Sequence, residues 1–165
     1  MHDRSDHQGF FATLRELMKN KALVSLYLSF ALYTLYSQTC VYWGPSLFNR
    51  YFGMNMVTAG TLAGVMTLTA LIAGPLGGMI TDRIARKNPR NKIIFCFICI
   101  FLTLMCNISG FVMQVIPLLF LGSFFSVLFL AAQMTATQEI VPSYQRASSY
   151  GVYIVSQYLL GGLWG

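Results

Sequence analysis

Charge is what this chain has least of. Only 10% of its 165 residues are Asp, Glu, Lys or Arg, and only five of those are acids. Soluble domains carry about 25% charged residues, so a soluble globular enzyme is excluded. Intrinsic disorder needs low hydrophobicity, and 56% of this chain is hydrophobic. Histidine is almost missing: His2 and His7 sit beside Asp3 and Asp6, and nothing else there completes a metal-ligand set. Four cysteines make no framework. Cys96 and Cys99 stand i, i+3 in one apolar stretch, Cys106 falls near the same face and Cys40 is alone. Without His or an acid nearby, that spacing is read as small apolar packing rather than a metal or redox centre. A nucleophile motif, a phosphate loop and an HExxH are all missing, so no enzymatic activity, cofactor or metal is expected. No small-residue cleavage site follows a short apolar core near Met1, so no cleaved secretory signal is expected either.

The few charges are gathered into islands. Asp3, Arg4, Asp6, Arg15, Glu16, Lys19 and Lys21 form the first. Arg50 stands alone. Asp82, Arg83, Arg86, Lys87, Arg90 and Lys92 form the third, and Glu139 with Arg146 the last. Residues 22–49, 51–81, 93–138 and 147–165 carry no charge. About 20 apolar helical residues cross the hydrocarbon core of a bilayer. The stretch 93–138 is twice that length and is broken by Asn107-Ile108-Ser109-Gly110 with Pro117 soon after, so it reads as two crossings. The expected spans are 22–44, 57–80, 92–110, 117–138 and 147–165. Long runs without period-2 alternation predict helices rather than barrel strands. The fold class is therefore all-α: a polytopic membrane protein with a transmembrane domain over 22–165.

Five crossings put every Lys and Arg except Arg50 on one side, which the positive-inside rule makes cytoplasmic, together with the N-terminus. Residues 1–21 form a cytoplasmic segment. Within it, Phe10, Phe11, Leu14, Leu17 and Met18 can share one face of a short helix lying in the interface. The basic residues 83–92 are expected to touch anionic headgroups, and no fold cue supports nucleic-acid binding.

One segment carries more than charge. Gly77-Gly78-Met79-Ile80-Thr81-Asp82-Arg83-Ile84-Ala85-Arg86-Lys87 is predicted as the cytoplasmic loop after the second span. It resembles the G-x-L-A-D-R-x-G-R-K signature of the major facilitator superfamily. Gly78, Asp82, Arg83, Arg86 and Lys87 match it, while Ile80, Thr81 and Ala85 depart from it. The resemblance implies that Asp82, Arg83 and Arg86 latch two halves of a transporter in the outward-open state. Glu139 and Arg146 follow the E-x6-R pattern of sugar-type facilitators, which implies a pairing of Glu139 with Arg86 or Arg83. The plainer reading of both residues is a helix cap at the interface.

Val41-Tyr42-Trp43-Gly44-Pro45-Ser46-Leu47, Ala59-Gly60-Thr61-Leu62-Ala63-Gly64, Val141-Pro142 and Arg146-Ala147 resemble the second half of spinster-like facilitators in order and spacing. That implies helices seven to eleven, a first half supplied elsewhere and a final helix beyond Gly165.

Mid-span ionisable residues mark proton relays and ion sites; these spans have none. Uncharged polar residues are the cavity candidates instead: Gln38, Tyr42, Gln133, Thr137 and Gln157. Each amide must face protein or water, and helix–helix hydrogen bonding is the competing use. Ser37, Thr39, Tyr153 and Tyr158 are further polar residues in the same spans, and Trp43 and Tyr42 suit an interfacial aromatic belt. Gly60-x-x-x-Gly64, Gly74-x-x-x-Gly78 and Gly161-x-x-x-Gly165 predict close helix packing, and Gly74-Pro75 predicts a kink. The expected function is secondary transport of a small organic or lipid-like solute, with the bilayer and a missing half or second protomer as partners. The rivals are a small homo-oligomeric transporter and a non-transporting truncated fragment or interaction module.

Overall fold

The computed structural model describes residue 15 and residues 17–87 and 90–162. Among them every regular element is helical and there is no strand. We label the helices α1 (Lys21–Phe52), α2 (Met56–Lys87), α3 (Arg90–Val112), α4 (Ile116–Ile140) and α5 (Arg146–Ser156). A 3-10 turn, Ser143–Gln145, precedes α5, and a π-helix, Gln157–Gly162, continues it. Most of the predicted interfacial segment 10–19 lies outside the described residues; of it, Arg15 and residues 17–19 are helical.

Local chemistry explains where α1, α2 and α4 start. Asn20 accepts from the backbone N–H of Ala22 at 3.1 Å and of Leu23 at 3.4 Å, which satisfies two donors that open α1. Asn55 does the same for α2, accepting from Val57 N–H at 3.1 Å. Between α1 and α2, Gly53 has φ 64°, a left-handed backbone that suits glycine. Pro117 falls in the first turn of α4, where its missing N–H costs nothing.

Among the described residues three helical segments are long and apolar enough to cross a membrane: Met56–Ile84, Asn91–Val112 and Ile116–Ile140. They overlap residues 57–80, 92–110 and 117–138. At 32 residues α1 runs about 48 Å, well beyond one hydrocarbon thickness. Its apolar run is interrupted by Ser25, Ser29, Thr34, Ser37, Gln38 and Thr39. As an α-helix α5 has 11 residues, and the π-helix carries the segment on to Gly162.

Two expectations about breaks are corrected. Asn107-Ile108-Ser109-Gly110 does not interrupt the chain; it lies inside α3, and the turn falls at Met113–Val115. The polar groups are absorbed by the helix itself: Asn107 Nδ2 donates to Thr103 O at 2.7 Å and Ser109 Oγ to Met105 O at 2.6 Å. The second correction concerns the facilitator motif. Residues 77–87 are not a loop but the last turns of α2.

The chain forms two compact units. One comprises residues 1–38 and 137–165, the other residues 39–136. In the second unit Phe48, Ala59 and Leu119 form a buried cluster with Phe52, Met54, Leu62, Ala63, Met66 and Phe111 around it. The rings of Phe48, Phe52 and Phe111 meet at 5.6–6.3 Å, contacts worth about 0.5–1.5 kcal/mol each. Asn49 Nδ2 donates to Met54 O at 2.6 Å, and Gln114 Nε2 to Tyr51 O at 2.8 Å, closing the adjoining turns. In the first unit Tyr27 and Ser149 share a hydrogen bond at 2.6 Å, and Phe30 stacks on Tyr153.

Glycine packing differs from the expected faces. A Cβ on Gly60, Gly64, Gly74 or Gly78 would meet nothing within 4 Å. The close approaches are at Gly77, Gly110 and Gly122, whose neighbours are Ala131 and Leu128, Leu119, and Asn107 respectively. The Gly161-x-x-x-Gly165 motif extends outside the described residues. Without a hydrophobic drive between helices in lipid, such close backbone contacts carry the packing.

Candidate functional site

The facilitator motif occupies the end of α2. Thr81 is fully buried and its hydroxyl donates to Gly77 O at 2.5 Å, a bond that returns the side chain to its own helix. One residue on, Asp82 and Arg83 are exposed, as is Arg86 a turn later. Gly78 is half-buried, and Lys87 is the last residue of the helix. Helical periodicity therefore separates a packed side, Gly77 and Thr81, from a charged side, Asp82 and Arg86. Gly77 is pinned because its Cβ position lies 2.9 Å from Ala131 Cβ and 3.3 Å from Leu128 Cα. The charged turns are thus the end of a rod fixed against α4, not a mobile connection.

Glu139 is exposed one residue before the end of α4, and Arg146 is exposed as the first residue of α5. Both belong to the first unit, whereas Asp82, Arg83 and Arg86 belong to the second.

The cavity candidates divide the same way. Gln38, Thr137 and Gln157 are in the first unit; Tyr42 and Gln133 are in the second. Gln133 and Thr137 lie four residues apart on α4 and are both 1% exposed. Gln38 and Gln157 are half-buried. Tyr42 and Trp43 are well exposed.

Three features were not anticipated from sequence. Lys92 is 2% exposed at the start of α3, although it belongs to a basic island. Tyr27 and Ser149 bond across 122 residues of chain. Asn107 packs directly against Gly122. A signal for the last was present, since a small residue on one span often faces a polar one on the next. Cys99 and Cys106 are buried, Cys96 is half-buried, and none of the four cysteines is in a disulfide. Among the described residues no group of His, Cys, Asp and Glu is placed to hold a metal ion.

A family model of the Major Facilitator Superfamily matches residues 3–165. The chain belongs to that superfamily, whose members are integral membrane transporters. No curated protein and no solved structure matches it significantly.

Proposed function

We propose that this chain forms part of a secondary transporter that moves a small organic or lipid-like solute by alternating access. Superfamily membership gives transport in general. The observation that carries the mechanism is the helical facilitator motif, with Asp82, Arg83 and Arg86 exposed beyond an apolar span that is pinned at Gly77. Contacts of charged groups held on a rigid helix end can form and break as a unit when two bodies rock.

In this reading there are five spans, the first in α1 and the fifth in α5 with its π-helix. The N-terminus and residues 1–21 are cytoplasmic, with residues 22–165 as the transmembrane domain. Asp82 faces the positive end of a helix dipole, Glu139 belongs to the same charged latch, and Arg146 marks the start of the fifth span. Gly78 and Lys87 complete the motif. Gln38, Tyr42, Gln133, Thr137 and Gln157 face the solute, which sits against a partner half or a second protomer. The spinster-like phrases favour the lipid-like class of solute.

The test is Asp82→Asn in the full-length protein reconstituted in vesicles, with a fluorescent single-chain lipid as probe. A latch worth about 1.4 kcal/mol shifts the balance of states about tenfold. Transport is expected to fall by about that factor while probe binding stays the same. Wild-type transport by the variant overturns the latch, and failure of the wild type to move the probe overturns the lipid-like solute.

A further inference from the structure

One buried hydroxyl has no evident use in the fold. Tyr153 is 3% exposed, and its Oη finds no hydrogen-bond partner among the described residues. Buried polar groups in folded proteins are almost always paired, because an unpaired one loses its bonds to water and gains none. A tyrosine kept in this position costs stability unless something else meets its oxygen.

Its surroundings define what that is. The Phe30 ring lies on the Tyr153 ring with centroids 3.7 Å apart and planes 17° from parallel. Tyr150 flanks it at 6.1 Å. The wall is aromatic and apolar. The register between α1 and α5 follows from two contacts. Tyr27 meets Ser149, and one turn later along both helices Phe30 meets Tyr153. The two segments therefore run in the same direction, and the next level holds Thr34 on α1 and Gln157 at the start of the π-helix, with Gln38 one turn beyond Thr34. Thr34 already donates to Phe30 O at 2.9 Å. Gln38 and Gln157 are half-buried. At Gln157 the α-helix gives way to the π-helix Gln157–Gly162, a form that recurs at functional sites.

We propose that the Tyr153 hydroxyl, with the Gln157 carboxamide one turn further on, is a hydrogen-bonding position for an oxygen of an uncharged amphipathic solute. The bound group is an ester, ether or hydroxyl oxygen, and the apolar body of the molecule lies along the Phe30–Tyr153 wall. The group bound at this position is uncharged because residues 22–38 and 147–162 contain no Asp, Glu, Lys or Arg, and an ion held here would leave water without a counter-charge from this wall. Tyr153 is closed off in this conformation, so the solute reaches it in another state of the transport cycle. The inference rests on the transport reading above and adds to it the chemistry of the solute.

The experiment uses the full chain in lipid nanodiscs, as wild type and as Tyr153→Phe, with monooleoylglycerol as probe and hexadecane as the chain without oxygen. Without probe, Tyr153→Phe is expected to melt at or above the wild-type temperature, because the hydroxyl it removes has no partner. A fall of more than about 3 °C would mean that the hydroxyl is part of the fold, and the proposal would be overturned. With probe, monooleoylglycerol is expected to bind wild type at least about tenfold more tightly than the variant, and hexadecane to bind both alike. Equal binding of monooleoylglycerol, or none to wild type, also overturns it. If the binding difference holds but reconstituted vesicles move no solute, the transport reading fails and the binding position stands.

Discussion

A methyl group placed on Gly77 would lie 2.9 Å from Cβ of Ala131, closer than two such carbons approach without displacement. The partner atom is a rigid methyl and the next neighbour is the Leu128 backbone. Gly77→Ala therefore has to separate α2 from α4. Overpacking of this kind costs about 1–3 kcal/mol, more than the roughly 1 kcal/mol that Ala gains over Gly in a helix. The melting temperature is expected to fall for Gly77→Ala and to hold or rise for Gly60→Ala, where a Cβ meets nothing.

Asn107 and Gly122 form a second test of packing. A Cβ on Gly122 collides with the Asn107 carboxamide. Gly122→Ala should therefore destabilise the chain, and Asn107→Ala in the same molecule should restore much of the loss. A coupling of about 1 kcal/mol or more is expected in the double-mutant cycle, read by thermal or denaturant unfolding in nanodiscs. Additive effects would mean that the two helices do not meet there.

Tyr27 and Ser149 supply a third. Their hydroxyls are 2.6 Å apart and both residues are buried. Tyr27→Phe leaves Ser149 with an unmet group, so the single change is expected to cost about 1–3 kcal/mol. Combining it with Ser149→Ala should cost less than the sum of the two, again measured by unfolding.

Orientation is open to chemical labelling. With five spans, Arg86→Cys and Arg50→Cys, each placed in a background without native cysteines, lie on opposite sides. A membrane-impermeant maleimide applied to intact cells should label the Arg50 position and spare the Arg86 position. The reverse pattern would invert the topology, and labelling of both would remove the span count.

The sequence made the middle of the fold legible and left its ends less so. The third and fourth spans were expected over 92–110 and 117–138, and the helices are Arg90–Val112 and Ile116–Ile140. Charge and Pro117 delimit them sharply. The first span was expected to stop at 44, but α1 continues through Pro45 to Phe52; bilayer thickness limits a crossing, not a helix. Asn107 and Ser109 looked like chain breakers because their side chains compete for backbone groups, yet here both bond back to carbonyls of the preceding turn. The spacing of Gly74 and Gly78 suggested a packed face, whereas the neighbour on α4 contacts Gly77. Sequence spacing identifies a set of small residues but not the rotation of the helix that carries them. Of the site, the charged motif was legible as residues and not as geometry, because basic residues beside a glycine-rich end look like a loop until the helix is seen to run on.

That continuation gives the charged end of α2 an angular code. Successive residues of a helix point about 100° apart, while residues four apart nearly coincide. Asp82 and Arg86 therefore share one meridian, a stripe of mixed sign, and Arg83 lies on the next, a purely positive one. The close approach of Gly77 to Ala131 fixes the rotation of α2, and with it which of the two meridians points away from α4 at the charged end.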